Sequence, residues 1–293
     1  MGTPIFSNLQ RPFHLGPFPL ERLKRSKNSP DLSKTPPMKS ISFDRKAVPE
    51  SLVNAMGDYQ AMLDAIRDGL INKEKGECPE DLQERARHIK SFGYFQDAPM
   101  AGISSFDKSM LLKTPIRNPE IDRLAEDLKT KQTKTLAAGI DVIMADLKES
   151  MSAPPRTIEN HTHAIVFLYN YNRDPSSKEP GIDWIGNAQD QRACLLGSET
   201  AIIIAGYLRV LGYDAKAHTP SSSDVNLNKL AIAAGLATVE NETLINPFVG
   251  DKFQVVAITT NFEMALDEPL EVLSKQPENL TSGLAWKLGK GSQ

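Results

Sequence analysis

The stretch that most constrains this chain is residues 202–211, IIIAGYLRVL, where only Gly206 and Arg209 interrupt the apolar run. A helix apolar on most of its sides must be covered on most of its sides, so it belongs inside a domain. Ser198 is a residue type that caps helix N-termini, and Glu199 in the first turn would complement the dipole. Gly212 follows the last apolar position, where a left-handed residue ends a helix. Residues 213–217 then read as a short strand. Asp224 is placed to cap a second helix over 225–234, which Gly235 ends. Residues 243–245 read as a short strand, Asn246 and Pro247 as a turn, and the β-branched run 253–260 as a core strand. This mixed order predicts an α/β (α+β) sandwich with the apolar helix laid against the sheet.

Upstream the chain is first irregular and then helical. Residues 1–49 are proline-rich, and Phe13, Leu15, Phe18, Leu20 and Leu23 predict an arm that packs on a neighbouring surface. A helix is expected over 49–66, with Leu52, Met56, Tyr59, Met62, Leu63 and Ile66 on its core face. A second helix, over 80–92, is expected to end at Gly93 and to give way to an extended segment over 94–103. Further helices are expected over 119–131 and 136–147. Residues 163–170 form a strong strand, whose continuous apolar centre suits burial on both faces. The chain divides into an arm (1–49), a helical region (50–155), an α/β domain (156–274) and a polar tail or linker (275–293).

Composition removes several classes of function. Lys and Arg number 34 against 37 Asp and Glu, a net charge of −3, so no basic field favours nucleic acid. The first residues lack the apolar segment of a secretion signal, and the run at 202 is too short on its own for a membrane span. The two cysteines, Cys78 and Cys194, are expected to be reduced thiols in a cytoplasmic protein. Two thiols do not ligate a four-cysteine iron–sulfur cluster. Phosphate-loop, dinucleotide-binding and nucleophile-elbow motifs do not occur.

Several motifs taken together carry a resemblance. Ala205, Leu208, Arg209, Leu211, Gly212, Tyr213, Ala215, Ala217 and His218 form the first. Val225, Leu227, Leu230, Ala231, Ala233, Ala234, Gly235 and Leu236 continue it, followed by Leu244, Ile245, Pro247, Phe248 and Gly250 and by the strand 255–260. This pattern resembles the cobalamin-binding domain of reductive dehalogenases and, more distantly, epoxyqueuosine reductase. Residues 11–23 and 85–95 resemble the non-secreted branch of the same bacterial family. The resemblance implies a nitroreductase-like cobalamin-binding fold with a helical N-terminal extension. It places a cobalamin pocket at Tyr213, His218, Asn226, Asn241, Pro247 and Gly250.

The chain departs from the family pattern where chemistry would be done. The family pairs its corrinoid with two iron–sulfur clusters, whose cysteine runs are absent here. Its proton-donating tyrosine is expected nineteen residues before Tyr213, where this chain has Cys194. Tyr169 and Tyr171, at the end of a strand, are alternative donors. Lys252 stands near the family's arginine position after Gly250. The glycine-rich loop that lets backbone approach the corrin is replaced by Ala237, Thr238, Val239, Glu240, Asn241 and Glu242. A lone His218 is more often a hydrogen-bonded residue than a ligand, and His161 with His163 lacks two further zinc ligands at a fixed spacing; no metal site is expected. The reading is a degenerate copy of the fold that pairs with a catalytic reductive dehalogenase chain or domain, or with a second copy of itself. An alternative is a cobalamin-dependent reductase fed by a separate ferredoxin; a weaker one is a flavin-binding protein.

Overall fold

The computed structural model describes residues 11–43, 51–123, 157–171 and 175–271. The helix expected over 136–147 and the tail from 275 lie outside the described residues, as does most of the helix expected over 119–131. In chain order the elements are α1 (Leu52–Ala65), α2 (Leu82–Phe95), β1 (Met100–Ser105), β2 (Leu111–Ile116), β3 (His163–Asn170), α3 (Ile182–Ile185), α4 (Gln189–Val210), β4 (Ala215–His218), β5 (Ser223–Val225), α5 (Leu227–Ala233), β6 (Thr238–Glu240), β7 (Thr243–Ile245) and β8 (Phe253–Thr260).

The centre is a four-stranded, wholly antiparallel sheet in the order β1-β3-β8-β4. Its apolar strands alternate faces. Ile165, Phe167, Tyr169, Val256 and Ile258 point to one side, against α4 and α2. Ala164, Val166, Leu168, Val255 and Ala257 point to the other, against α5 and the N-terminal arm. Both faces are covered, which is why β3 and β8 are continuous apolar runs. The result is an α+β arrangement of helix, sheet and helix layers. The edge strand β1 comes from the region before residue 155, so one sheet spans the helical region and the α/β domain.

The arm packs as its apolar residues require. The Phe18 ring lies 5.5 Å from that of Phe248, and Leu20 is buried. Arg25 donates to the carbonyls of Gly235 (2.7 Å), Glu268 (2.9 Å) and Leu20 (3.0 Å), pinning the arm to the end of α5.

Several elements differ from expectation for identifiable reasons. The core face of α1 is Val53, Met56, Gly57, Gln60, Ala61 and Asp64, while Leu52, Tyr59 and Met62 face outward. The helix is thus rotated to bury two polar residues. Helix α2 runs through Gly93 to Phe95, and residue 93 is glycine where a Cβ would lie 2.1 Å from the Phe167 ring. There the glycine serves packing and not termination. Helix α4 starts nine residues before Ser198, at Gln189; Ser198 is internal, and its hydroxyl donates to the Cys194 carbonyl one turn back (2.7 Å). With 22 residues this helix has the length and composition of a membrane span, yet it packs on the sheet as a core helix. Asn226, not Asp224, caps α5, accepting from the Lys229 amide (3.1 Å). Thr238–Glu240 is a strand paired with β7, turning through Asn241 (φ 47°) and Glu242 (φ 60°). Two left-handed residues make the hairpin turn whose twist matches the strands, without glycine.

Candidate functional site

The candidate catalytic residues, Tyr169, Tyr171, Cys194 and Lys252, fall in different surroundings. Tyr169 faces α4 in the core; its hydroxyl is 2.6 Å from Thr200 Oγ1 and donates to the Gln96 carbonyl (3.1 Å). Burial pushes that phenol up to about 12. Tyr171 is half-buried, and its oxygen accepts from Gln254 Nε2 (2.8 Å). Burial, then the charge of Asp190, raises its titration. Lys252 is exposed, and its backbone carbonyl accepts from the Tyr171 amide. Cys194 is 0% exposed, under α1, with its Sγ 3.7 Å from Gln60 Oε1 and 3.9 Å from Ser198 Oγ. Burial first, and the nearby Asp64 charge second, push its thiol far above the ordinary range.

Around Cys194 the structure assembles a site that sequence reading missed. Asp64, near the end of α1 and 2% exposed, accepts four hydrogen bonds. They come from Gln60 Nε2 (3.0 Å), Asn118 Nδ2 (2.9 Å), Thr219 Oγ1 (2.7 Å) and Ser221 Oγ (2.6 Å). Gln60 Nε2 also donates to Ser198 Oγ (2.9 Å). Each of these donors is neutral, so burial raises the Asp64 carboxyl above its usual range despite the four bonds. The available signals were Gln60 and Asp64 one turn apart and the hydroxyl run Thr219, Ser221, Ser222 and Ser223.

A second cluster, partly buried, lies at the end of β4. Arg67 forks onto Asp224 (3.0 and 3.4 Å), and Lys216 Nζ sits 3.0 Å from the same carboxylate. His218 is fully buried: Nε2 is 2.8 Å from Thr259 Oγ1, and Nδ1 accepts from the Asp224 amide (3.4 Å). Both ring nitrogens are therefore engaged, leaving no lone pair for a cobalt or zinc ion. His161 bonds Thr259 through Nδ1 (2.8 Å), while His163 turns to Thr162 and the Met264 carbonyl, so the two do not converge.

The remaining residues of the expected pocket are similarly committed. The Tyr213 hydroxyl is 3.5 Å from Cys78 Sγ, and its ring stacks edge-on with Phe262. Asn226 is a helix cap, and Asn241 forms the hairpin turn. Pro247 lies within the tight turn that Asn246 and Gly250 close. Among the described residues, no hydrogen bond or ring contact joins any two of Tyr213, His218, Asn226, Asn241, Pro247 and Gly250.

No family model matches the chain, and no curated protein does. Solved structures do. The catabolic reductive dehalogenase NpRdhA matches at a TM-score of 0.70 with 26% identity, over 99% of this chain and 36% of its own. A reductive dehalogenase whose structure suggests a mechanism for B12-dependent dehalogenation matches at 0.69 with 27% identity, over 96% of this chain and 34% of its own. The chain is similar to the reductive dehalogenases. It spans about a third of their length. Epoxyqueuosine reductase from Streptococcus thermophilus matches at only 0.36 with 13% identity, too little to bear on the fold.

Against that similarity the expected cobalamin residues can be tested for fit. A corrinoid pocket needs polar groups with free hydrogen-bonding capacity and backbone that approaches closely. Here both ring nitrogens of His218 and the side-chain oxygen of Asn226 are taken by protein partners, and the loop after Leu236 is a paired hairpin. As a set, these residues do not fit the group.

Proposed function

We propose that this chain is a degenerate cobalamin-binding-fold domain, nitroreductase-like in its layering. In this reading it scaffolds a catalytic reductive dehalogenase chain or domain in the cytoplasm and has no activity alone. The observation that carries the reading is the closure around Cys194. A proton donor must reach its substrate and release a proton near the working pH. Cys194 is fully buried, its acidity is suppressed, and the Asp64 network fills the space beside it. With two cysteines in its sequence, the chain would depend on another body for any iron–sulfur electron supply.

A partner is supported by the outer helical face. Phe92 and Phe95 of α2 and Ile203, Tyr207 and Val210 of α4 are exposed, Phe95 to 74% and Val210 to 68%. Phe92 and Tyr207 join the two helices by an edge-on ring contact at 5.1 Å. Exposed apolar surface continuous over two helices marks an interaction site. The occupant we assign is a dehalogenase body corresponding to the other two thirds of the matching proteins, which this chain does not span.

The test is a cobalamin titration followed by absorbance and by the fluorescence of the half-exposed Trp184. The expected result is no saturable binding up to high micromolar corrinoid. Saturable binding with a base-off spectrum would overturn the reading in favour of a reductase fed by a separate ferredoxin. A stable homodimer by light scattering that Ile203→Asp splits would make a second copy the occupant of the helical face.

A further inference from the structure

Thr259 on β8 stands between two buried imidazoles, 2.8 Å from His218 Nε2 and 2.8 Å from His161 Nδ1. Beyond His161, its Nε2 lies 3.4 Å from Asp214 Oδ1 and makes no hydrogen bond. Both histidine side chains are fully shielded from solvent. The five residues lie on the lead-in to β3 (His161), on β8 (Thr259), on β4 (His218), just before it (Asp214) and on β5 (Asp224). The row therefore stitches four segments at one edge of the sheet.

The placement of protons along this row follows from its chemistry. The Asp224 amide donates to His218 Nδ1, so that nitrogen carries a lone pair and the ring proton sits on Nε2. Nε2–H donates to the Thr259 oxygen. The threonine hydroxyl keeps its own proton, and His161 Nδ1 is an acceptor within reach. The proton of His161 is then on Nε2, 3.4 Å from the Asp214 carboxylate without a hydrogen bond to it. The opposite form of His161 would set a lone pair against that carboxylate and leave a buried hydroxyl proton unused. All the hydrogen bonds thus point one way, with one proton on each ring.

We propose that His218, Thr259 and His161 form a latch that holds β4 and β5 at the sheet edge while each ring carries a single proton, and that acidification opens it. A second proton on His218 would put N–H against the Asp224 amide. It would also add a third cation beside Arg67 and Lys216, where Asp224 and, beyond Lys216, Asp68 are the facing anions. A second proton on His161 would take away the acceptor that Thr259 needs; Asp214 is the charged group facing that ring. Burial, and then the charge of Arg67, hold the titration of His218 well below the usual histidine range, in keeping with a neutral working state. Opening the latch would release the turn at Thr219 and Ser222, and with it the two hydroxyls that Thr219 and Ser221 give to Asp64.

Nitrogen NMR of the imidazoles at pH 8 tests the directionality: both rings are expected as the Nε2–H form, and an Nδ1–H form in either ring overturns it. Hydrogen exchange tests the latch. After correction for the intrinsic pH dependence of exchange, protection of the Asp224 and Ser222 amides is expected to fall by up to about tenfold per pH unit below about pH 6.5, where the opened state takes up the proton that buried His218 resists. Over the same range the Ile165 amide in β3 is expected to keep its protection. Unchanged protection at both edge amides from pH 8 down to 4.5 overturns the proposal. Thr259→Ser keeps a hydroxyl and is expected to match the wild type, whereas Thr259→Val breaks the link between the rings and is expected to lower protection of the edge amides already at pH 8. Should Thr259→Val not fold, the wild-type NMR and exchange results decide. Neither readout depends on the scaffold reading or on cobalamin.

Discussion

Asp64 and Asp224 are both carboxylates drawn out of water, and the fold holds them by opposite means. Asp64 takes four hydrogen bonds from neutral groups. Asp224 takes a forked contact from Arg67 and another from Lys216. Their acidities move in opposite directions. Burial raises Asp64, and its hydrogen bonds do not offset the shift. Burial, the largest single influence, also pushes Asp224 upward, but its charged neighbours, the charge and hydrogen bonds of Arg67 first among them, together outweigh it and leave the carboxyl far below its usual range. Hydrogen bonds satisfy the geometry of a buried carboxylate; an opposite charge is what offsets the loss of water around its charge.

The largest effect should come from removing that charge. Arg67→Met leaves Asp224 buried with Lys216 alone and is expected to lower stability by about 3 kcal/mol in urea unfolding at pH 7. Because Asp224 titrates lower in the fold than when unfolded, its contribution is complete above about pH 4 and fades as pH falls below that. Wild type and variant should therefore converge toward pH 2; a gap that persists there would mean Arg67 acts through packing. Next in size, Asp64→Asn should lose about 1–2 kcal/mol, since the new amide cannot accept at both ends. The sign of its pH dependence is opposite. Asp64 is raised in the fold, so its linked stability is full below the unfolded value near 3.8 and is lost as pH rises through the folded value. The deficit of Asp64→Asn should thus be greatest at low pH and narrow toward pH 8. Ser221→Ala removes one donor of four and should cost about 1 kcal/mol, measured the same way. The smallest effect belongs to a charge pair left in water: Arg117 and Asp122 lie 3.1 Å apart but 63% and 75% exposed. Arg117→Ala should change stability by no more than about 0.5 kcal/mol.

The sheet was legible where one force dominated. β3, β7 and β8 have the bounds their residues predict, because apolar or β-branched runs with clear breaks leave one solution. Elements misread from sequence contain residues with two uses. Gly93 resembles a helix stop and is a space for Phe167. Ser198 resembles a cap and bonds backward inside α4. The face of α1 was misjudged because Leu52, Tyr59 and Met62 are more apolar than Gln60 and Asp64, which are the ones buried. The Asp64 network followed that error out of sight: its members come from α1, α4, Asn118 and the turn after β4, and only the fold brings them together. The dehalogenase likeness marked Cys194 by its spacing from Tyr213 and His218 by its place at the end of a strand. That both are sealed was visible only in three dimensions.

The place of β8 in the sheet has a consequence for how the chain is made. Among the described residues it is the last strand in sequence and an inner one in space, pairing with β3 on one side and β4 on the other. During synthesis the partners on either side leave the ribosome first and wait, with apolar faces and unpaired edges, until Thr260 has followed. Long-range pairing of this kind is slow, and waiting edges invite association with other chains. A chain stopped short of Phe253 would lack the strand that joins β4 to β3, so the last strand is the one on which closure of the sheet depends.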